Sequence, residues 1–428
     1  MGCRKFLVGS LVLLAAASGA APPPPADSVV YAAKAGDNLT NLAARYLVNP
    51  AAAGTVARLN RIANPRHIPV GRELRIPREL LRYTPVTLRL ASFSGPVTLG
   101  GATPRLGQVL VEQTSITTWP GGFALITGSD GSRLALPSNS TARIGRARHY
   151  ALIGADDMGI VLANGRGEVQ AAHQPPQGRF QLATPIAVSA VRGTRFRASH
   201  DTAAGLSTTG VAEGLVAVNS ASAAVSLPAG SGAATAADGA IRQEPLLAAP
   251  ALIKPGKVQT EPALTFRIAP LAGAARYRLQ IARDAGFTDM LAETDTTGPE
   301  ATFPSLDNGG YFIRASALAP SGIEGQAENF SFRRQRVGLK ADLGQVDIPG
   351  AIRINWRVEG EGQSRFRFQL LGESGSVPLI DEAGLDQPGM TLTGLAPGVY
   401  RWRVGVIQTV PEGSVEVWTA LQKFTVSR

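Results

Sequence analysis

The chain repeats itself. Arg276-Tyr277-Arg278-Leu279-Gln280-Ile281 returns as Arg365-Phe366-Arg367-Phe368-Gln369-Leu370, Leu306 as Leu395, and Gly310-Tyr311-Phe312-Ile313-Arg314 as Val399-Tyr400-Arg401-Trp402-Arg403, each time 89 positions later. Apolar residues that alternate with Arg describe strands with one buried and one wet face, so the repeat predicts two copies of one β fold. Composition extends this to the rest of the chain. The 48 Gly and 30 Pro among 428 residues break up the apolar runs, and Val, Ile and Thr recur in short stretches between them. A chain of this length holds two to four domains at roughly 100–200 residues each. The expected fold class is multidomain and mainly β.

Several function classes drop out at once. A 44% apolar, 17% charged chain is not a disordered polyelectrolyte. One Cys, Cys3, excludes a disulfide framework and a Cys-rich zinc site; His67, His149, His173 and His200 stand apart, so no metal or cofactor is expected. There is no Gly-x-Ser-x-Gly elbow, no His-Glu-x-x-His, no phosphate-binding Gly-x-x-x-x-Gly-Lys and no recognisable His/carboxylate frame. Asp156-Asp157 is a pair by sequence, but neighbours on a strand point to opposite faces. No catalytic residues are assigned, and the chain reads as a non-enzyme.

Charge is uneven. Residues 27–82 carry nine Lys/Arg against four Asp/Glu, whereas residues 250–428 carry nineteen of each. A basic N-terminal part suits an anionic polymer or a solvated face. Nucleic acid is not the expected partner, because the basic residues are scattered and only Tyr31 and Tyr46 accompany them. Ahead of this part, Arg4 and Lys5, the apolar run Phe6–Ala17 and Ser18-Gly19-Ala20 read as a cleaved signal peptide over residues 1–20. That run is 12 residues long against the roughly 20 a membrane helix needs, which leaves an uncleaved anchor as the weaker alternative. Cys3 precedes the run, out of place for a lipoprotein. No later stretch is apolar enough to cross as a helix, so the mature chain is expected to be exported with no membrane span.

Residues 30–77 say most. Val30–Lys34 is a β-type run, Gly36-Asp37 a turn, and Asn38 stands at an N-cap position. Leu39, Leu42, Ala43 and Tyr46 follow at helical spacing until Asn49-Pro50; Val56, Leu59 and Asn60 suggest a second helix ended by Asn64-Pro65. Ile68-Pro69-Val70-Gly71 leads into a last strand, Glu73–Pro77. The predicted order is β-α-α-β.

These residues, within a domain read as spanning 27–82, resemble the LysM (lysin motif) family. The resemblance implies binding to N-acetylglucosamine-containing glycan, chiefly peptidoglycan, in a groove between two loops: Gly36, Asp37, Asn38, Leu39 and Thr40 before the first helix, and Ile62, Asn64, Pro65 and Ile68 after the second. Free amides at a helix start suit an acetamide carbonyl, and Leu39, Pro65 and Ile68 offer apolar contact to a sugar face. Asn38 replaces the usual Thr or Ser, a mild change since Asn caps equally well, and Ala53 replaces a common aromatic. A spacer module with little glycan affinity is the rival reading of this segment.

Residues 84–232 hold short apolar runs between turns, including Val86–Leu90, Gln108–Val111, Phe123–Ile126, Arg133–Leu136 and Gly159–Leu162, which suit a sandwich or a solenoid. With Gly107-Gln108-Val109-Leu110, Asp130–Leu136, Ala190-Val191-Arg192-Gly193-Thr194-Arg195-Phe196 and Gly214–Val218, this stretch resembles a FecR-type domain. The resemblance implies a periplasmic module, here a binding or scaffold part, with Arg192 and Arg195 expected to bond neighbouring carbonyls. Residues 233–262, rich in Ala, Gly and Pro, read as a semi-extended linker. The two repeats, 263–335 and 346–428, resemble fibronectin type III sandwiches, their Arg rows expected on exposed strand faces. The modules together predict an exported, non-enzymatic, peptidoglycan-binding envelope protein of a Gram-negative-type cell, with an envelope protein partner left open. A periplasmic ligand-sensing or signalling component acting through a partner via the FecR-like domain is the alternative, and a peptidoglycan hydrolase accessory or enzyme the lesser one.

Overall fold

The computed structural model describes residues 27–191, 193–344, 348, 350–411 and 413–427. The expected signal peptide, Cys3 and Arg192 lie outside the described residues. No helix among the described residues is long and apolar enough to cross a membrane. The chain divides into two compact units.

The first unit joins residues 27–86 to residues 147–158 and 174–179. Strand β1 (Ser28–Ala32) pairs antiparallel with β2 (Glu73–Pro77), from Ser28 opposite Pro77 to Ala32 opposite Glu73. Between them run helix α1 (Leu39–Tyr46), a 3-10 turn at Pro50–Ala52 and helix α2 (Ala53–Leu59), giving the β-α-α-β order that the spacing predicts. Caps explain the boundaries: Asn38 accepts from the Asn41 amide at 2.8 Å and Asn49 from the Ala51 amide at 2.9 Å. Asn60 then ties the end of α2 to β2, donating to the carbonyls of Val56 and Arg75 and accepting from the Arg75 amide at 2.7 Å. Val29, Leu39, Leu42, Val56, Leu74 and Ile76 form the core.

The later segments complete this unit. Tyr150 is buried in the same core. Gln177 receives the Val30 amide and donates to the Val30 carbonyl, which satisfies the outer edge of β1 much as another strand would. Arg78 donates to the Gln177 carbonyl at 2.6 Å, and Arg179 binds Asp157 and Asp27 on two sides of its guanidinium. A module folding from residues 27–82 alone was the simplest expectation from sequence; here its core and strand edge draw on residues about a hundred positions downstream, which local periodicity does not register. Asp156 and Asp157 do face apart, Asp156 meeting His149 Nδ1 at 2.7 Å and Asp157 meeting Arg179. That His/carboxylate pair was not legible in the sequence.

The second unit begins with two rows of antiparallel strands. One runs 109–110, 88–94, 123–128, 133–136, 165–170, 195–201, 206–213, 231–235 and 241–245. The other contains Val97–Leu99 beside Ser115–Thr118 and residues 140–143, and Arg179–Ala183, Val188–Val191, Leu215–Asn219 and Ala224–Pro228 side by side. The rows meet face to face: the buried hydroxyls of Ser189 and Thr209 lie 3.0 Å apart across them, and Gly167 leaves room for Leu134 and Leu182. Of the alternatives left open by sequence, the sandwich describes this arrangement.

The expected linker, residues 233–262, contains strand segments as well as irregular chain. Ser231–Thr235 pairs with Leu206–Glu213 and with Ile241–Pro245, and Leu252–Ile253 opens the next sheet. Glycines beside it permit close approach: a Cβ on Gly232, in the strand that leads into this segment, would come within 2.6 Å of Ile323 Cγ2, and one on Gly325 within 2.6 Å of the Leu247 carbonyl.

Each repeat forms a two-sheet sandwich. In the first, Leu252–Ile253, Leu264–Ile268 and Glu300–Phe303 make one sheet, and Met290–Thr296, Arg276–Ala282, Gly309–Leu318 and Glu324–Arg334 the other. In the second, Val337–Gly344, Ile352–Gly360 and Gly389–Leu392 face Pro378–Leu385, Gln363–Gly372, Gly398–Val410, Gly413–Trp418 and Gln422–Val426. Two antiparallel sheets face to face in each copy are the sandwich layout expected of the repeat. Tyr311 donates to the Asp307 carbonyl at 3.0 Å and Tyr400 to that of Ala396 at 2.9 Å, the same corner bond 89 positions apart. Both sandwiches start earlier than expected, at Leu252 and Val337.

Replacing Tyr150 by Ala should cost the first unit about 3 kcal/mol or more, as for other large core truncations. Hydrogen exchange at the β1 and β2 amides should then speed up at least ~100-fold. Unchanged exchange would show that the unit does not depend on the downstream segments.

Candidate functional site

The two loops flanking the helices of the first unit come together. The Leu39 amide donates to the Pro65 carbonyl at 2.8 Å, bridging the turn before α1 to the loop after α2. Gly36 reaches φ +84°, in the left-handed region, which lets the chain reverse at the loop's start. Asp37 fixes that reversal by accepting from the Lys34 amide and the Tyr31 hydroxyl, both at 2.7 Å. Burial, with the bond to Asp37 second, pushes the Tyr31 phenol up to about 12, so it remains a donor at neutral pH. In the facing loop Asn64 accepts from the Arg66 amide at 3.0 Å, and its carbonyl accepts from the His67 amide at 3.1 Å.

The nine expected glycan-site residues divide by exposure. Gly36, Thr40, Asn64 and Pro65 are exposed, and Asp37 and Asn38 half-buried. Leu39, Ile62 and Ile68 are buried at 1%, 9% and 5% exposure and belong to the core. The apolar contact expected of Leu39 and Ile68 is therefore corrected: their side chains turn inward because the first turn of α1 and the approach to β2 must cover Leu42 and Leu74. Pro65 keeps an outward apolar face. Arg66 and His67, not singled out from sequence, stand exposed on the same loop. The amide of Thr40 has no partner among the described residues.

The second unit holds a different assembly. Arg314 binds Glu168 through both terminal nitrogens, at 3.3 and 2.9 Å; Arg197 lies 3.3 Å from Glu324; Arg278 joins Glu324 at 2.6 Å and Asp295 at 2.8 Å; Arg166 grips Glu293. The four arginines, Glu168 and Glu324 line a cavity of about 320 Å³ together with His200, Asp201 and Arg276. Burial pushes the carboxyls of Glu168 and Glu324 up, but Arg314, Arg197 and Arg278 outweigh it and hold both below the usual range. Burial lowers His200, whose Nδ1 lies 2.9 Å from Ser207 Oγ. The exposed Arg rows expected for the first repeat are thus corrected for Arg278 and Arg314. Glu168 meets Arg314 from 146 positions away and Glu324 meets Arg278 from 46, and no local pattern announces either. Arg195, at the bulge beside Gly193, pairs with Glu213 at 2.8 Å rather than with carbonyls. Among the described residues no group of three or more His, Cys, Asp or Glu is placed to hold a metal.

Residues 31–77 match the family model of the LysM domain. Residues 114–217 match the model described as FecR protein. Both are binding or signalling modules of envelope-associated families. A comparison with curated proteins finds no match. Solved structures with similarity include a candidate anti-sigma factor from Parabacteroides distasonis ATCC 8503, at 17% identity over 31% of this chain and 59% of that one, TM-score 0.27. A two-domain fibronectin type-III segment from chicken tenascin shares 16% identity over 42% and 99%, TM-score 0.20, and the chicken CNTN1 FN1-FN3 domains 11% over 62% and 95%, TM-score 0.23. Likenesses this distant bear no weight for function.

Because Glu168 and Glu324 have folded pKa values below the ordinary carboxylate value of about 4.3, their stabilisation is fully present above that pH and is lost as pH falls through the folded values. Thermal stability of the second unit should be flat from about pH 7 to 5 and drop below about pH 4. Glu168→Gln, which strands the Arg314 charge, should cost about 2–3 kcal/mol at pH 7 and shallow that acid slope; calorimetry reads both, and an acid slope unchanged in E168Q would contradict the assignment.

Proposed function

We propose that this is an exported, non-enzymatic peptidoglycan-binding protein of the cell envelope, in which the LysM domain anchors the FecR-like and sandwich modules to the wall. The observation that carries the proposal is the LysM match over residues 31–77, together with the bond between Leu39 and Pro65 that brings its two loops side by side. Gly36, Asp37, Asn38, Leu39, Thr40, Ile62, Asn64, Pro65 and Ile68 form the proposed glycan site, in two roles. Leu39, Ile62 and Ile68 hold the loops from beneath. The exposed backbone of Gly36–Thr40, the Thr40 amide, Asn64 and Pro65 meet the sugar. An acetamide carbonyl fits an amide donor at a helix start, and its methyl group fits the Pro65 ring. Lys34, Arg66 and His67, exposed around the same loops, suit the carboxylates of wall peptides.

The matched modules and the residue inventory support a binding role over a catalytic one. The FecR-like region and the sandwiches act as the displayed part, with the wall as the fixed partner. Export by the expected signal peptide over residues 1–20 fits a ligand found outside the cytoplasm.

Co-sedimentation of the full chain with insoluble peptidoglycan tests this. Thr40→Trp fills the gap between the loops from an exposed position in the first turn of α1, and should weaken retention about tenfold, some 1.4 kcal/mol, with thermal stability unchanged. Retention equal to the unaltered protein, or retention that disappears in moderate salt in both, would refute a groove-based anchor.

A further inference from the structure

The two sandwiches carry the same prepared guanidinium, and only one is occupied. In the first, Arg314 Nε donates to Gln280 Oε1 at 2.8 Å, its guanidinium lies 4.6 Å from the Phe287 ring centre, and its terminal nitrogens hold Glu168. In the second, 89 positions later, Arg403 Nε donates to Gln369 Oε1 at 2.8 Å and its guanidinium lies 4.5 Å from the Trp418 ring centre. The resemblance reaches one residue further: Gln280 donates to Glu293 at 2.7 Å, and Gln369 to Asp381 at 3.0 Å. Yet the two terminal nitrogens of Arg403 have no hydrogen-bond or ion-pair partner among the described residues. A fork held by a buried glutamine on one side and an aromatic ring on another has already lost the rotamer freedom that binding a carboxylate would cost.

The surroundings match such a use. The residues beside Arg403 that point out of this sheet include Arg367, which Asp381 locks with two bonds of 2.7 Å, and Trp418, which lies over Gly405 with its Nε1 on Glu416 at 2.9 Å. Ile407 and Leu379 are exposed at 41% and 64%. One locked ion pair, an anchored indole, exposed apolar residues and one open guanidinium have the composition of a protein interface.

We propose that the outward face of the larger sheet of the second sandwich docks an acidic segment of another protein, which places a carboxylate on the terminal nitrogens of Arg403 as Glu168 does on Arg314. Within this chain the strand that bears Glu168 is already taken by the first sandwich, so a second copy has no free equivalent to offer. The docking does not depend on glycan binding by the first unit.

The test uses the full chain and, as probe, a synthetic acidic peptide with the sequence of residues 162–172 in which Arg166 is replaced by Gln, leaving Glu168 its one charged side chain, followed through the Trp418 indole N–H resonance. The expected result is a saturable shift at about millimolar affinity, at least ~10-fold weaker with the Glu168→Gln peptide, and absent in Arg403→Gln. R403Q gives up the bond to Gln369 and the contact with the Trp418 ring but no ion pair, so it should lose less thermal stability than Arg314→Gln, which strands Glu168. No shift up to ~5 mM peptide, equal binding of the two peptides, or binding kept by R403Q would overturn the proposal. So would a Trp418 shift produced by N-acetylglucosamine oligomers, which would make the face a glycan platform. Self-association in sedimentation that R403Q abolishes would give the face to a second copy and also overturn it.

Discussion

The bond between the Leu39 amide and the Pro65 carbonyl is small, and the functional account turns on it. It joins two loops that the sequence separates by a full helix-turn-helix passage, and it does so with backbone atoms, so the side chains at the surface stay available. Everything beneath serves that contact. Leu39, Ile62 and Ile68 are buried under the loops, Asn38 starts α1 at the right residue, and Asn60 fixes where α2 ends against β2. A groove lined by main chain depends on rigid support, because each displaced amide forfeits a directional bond to the ligand.

That support extends beyond the module. Tyr150 and Gln177 belong to the first unit although they stand well after the LysM residues in sequence. The edge of β1, which would otherwise present unpaired amides and carbonyls, is closed by a glutamine side chain. In the second unit, buried Arg–carboxylate pairs do comparable work where apolar area is limited. Arg314 and Glu168 are worth having as a pair and costly to separate, which makes the arrangement specific rather than strongly stabilising. Within the described residues no cysteine contributes, so packing and these pairs carry the structure.

Much of this was legible in the sequence because it is local. Asn38 announces a helix start, the spacing of Leu39, Leu42 and Tyr46 announces a helix face, and the 89-residue repeat announces two related sandwiches, whereas Asn49, read as the end of a helix, also caps the turn that follows. What could not be read is whatever depends on contacts distant in sequence. Ser231–Thr235 looks like linker because Ala and Gly bury little area, yet it is a strand whose small side chains let Ile323 approach. Arg278 looks like a wet-face residue because its strand alternates, yet Glu324 and Asp295 close over it. Leu39 and Ile68 look like ligand contacts from their place in the motif, and burial alone decides otherwise.

The central claim is that glycan meets the chain at these two loops. Amide chemical-shift mapping of the full chain with soluble peptidoglycan fragments addresses it directly. The account predicts saturable shifts concentrated at Gly36–Thr40 and at 62–68, with the sandwich amides unmoved. Shifts confined to the FecR-like strands or the sandwiches, or none at the two loops, would contradict it.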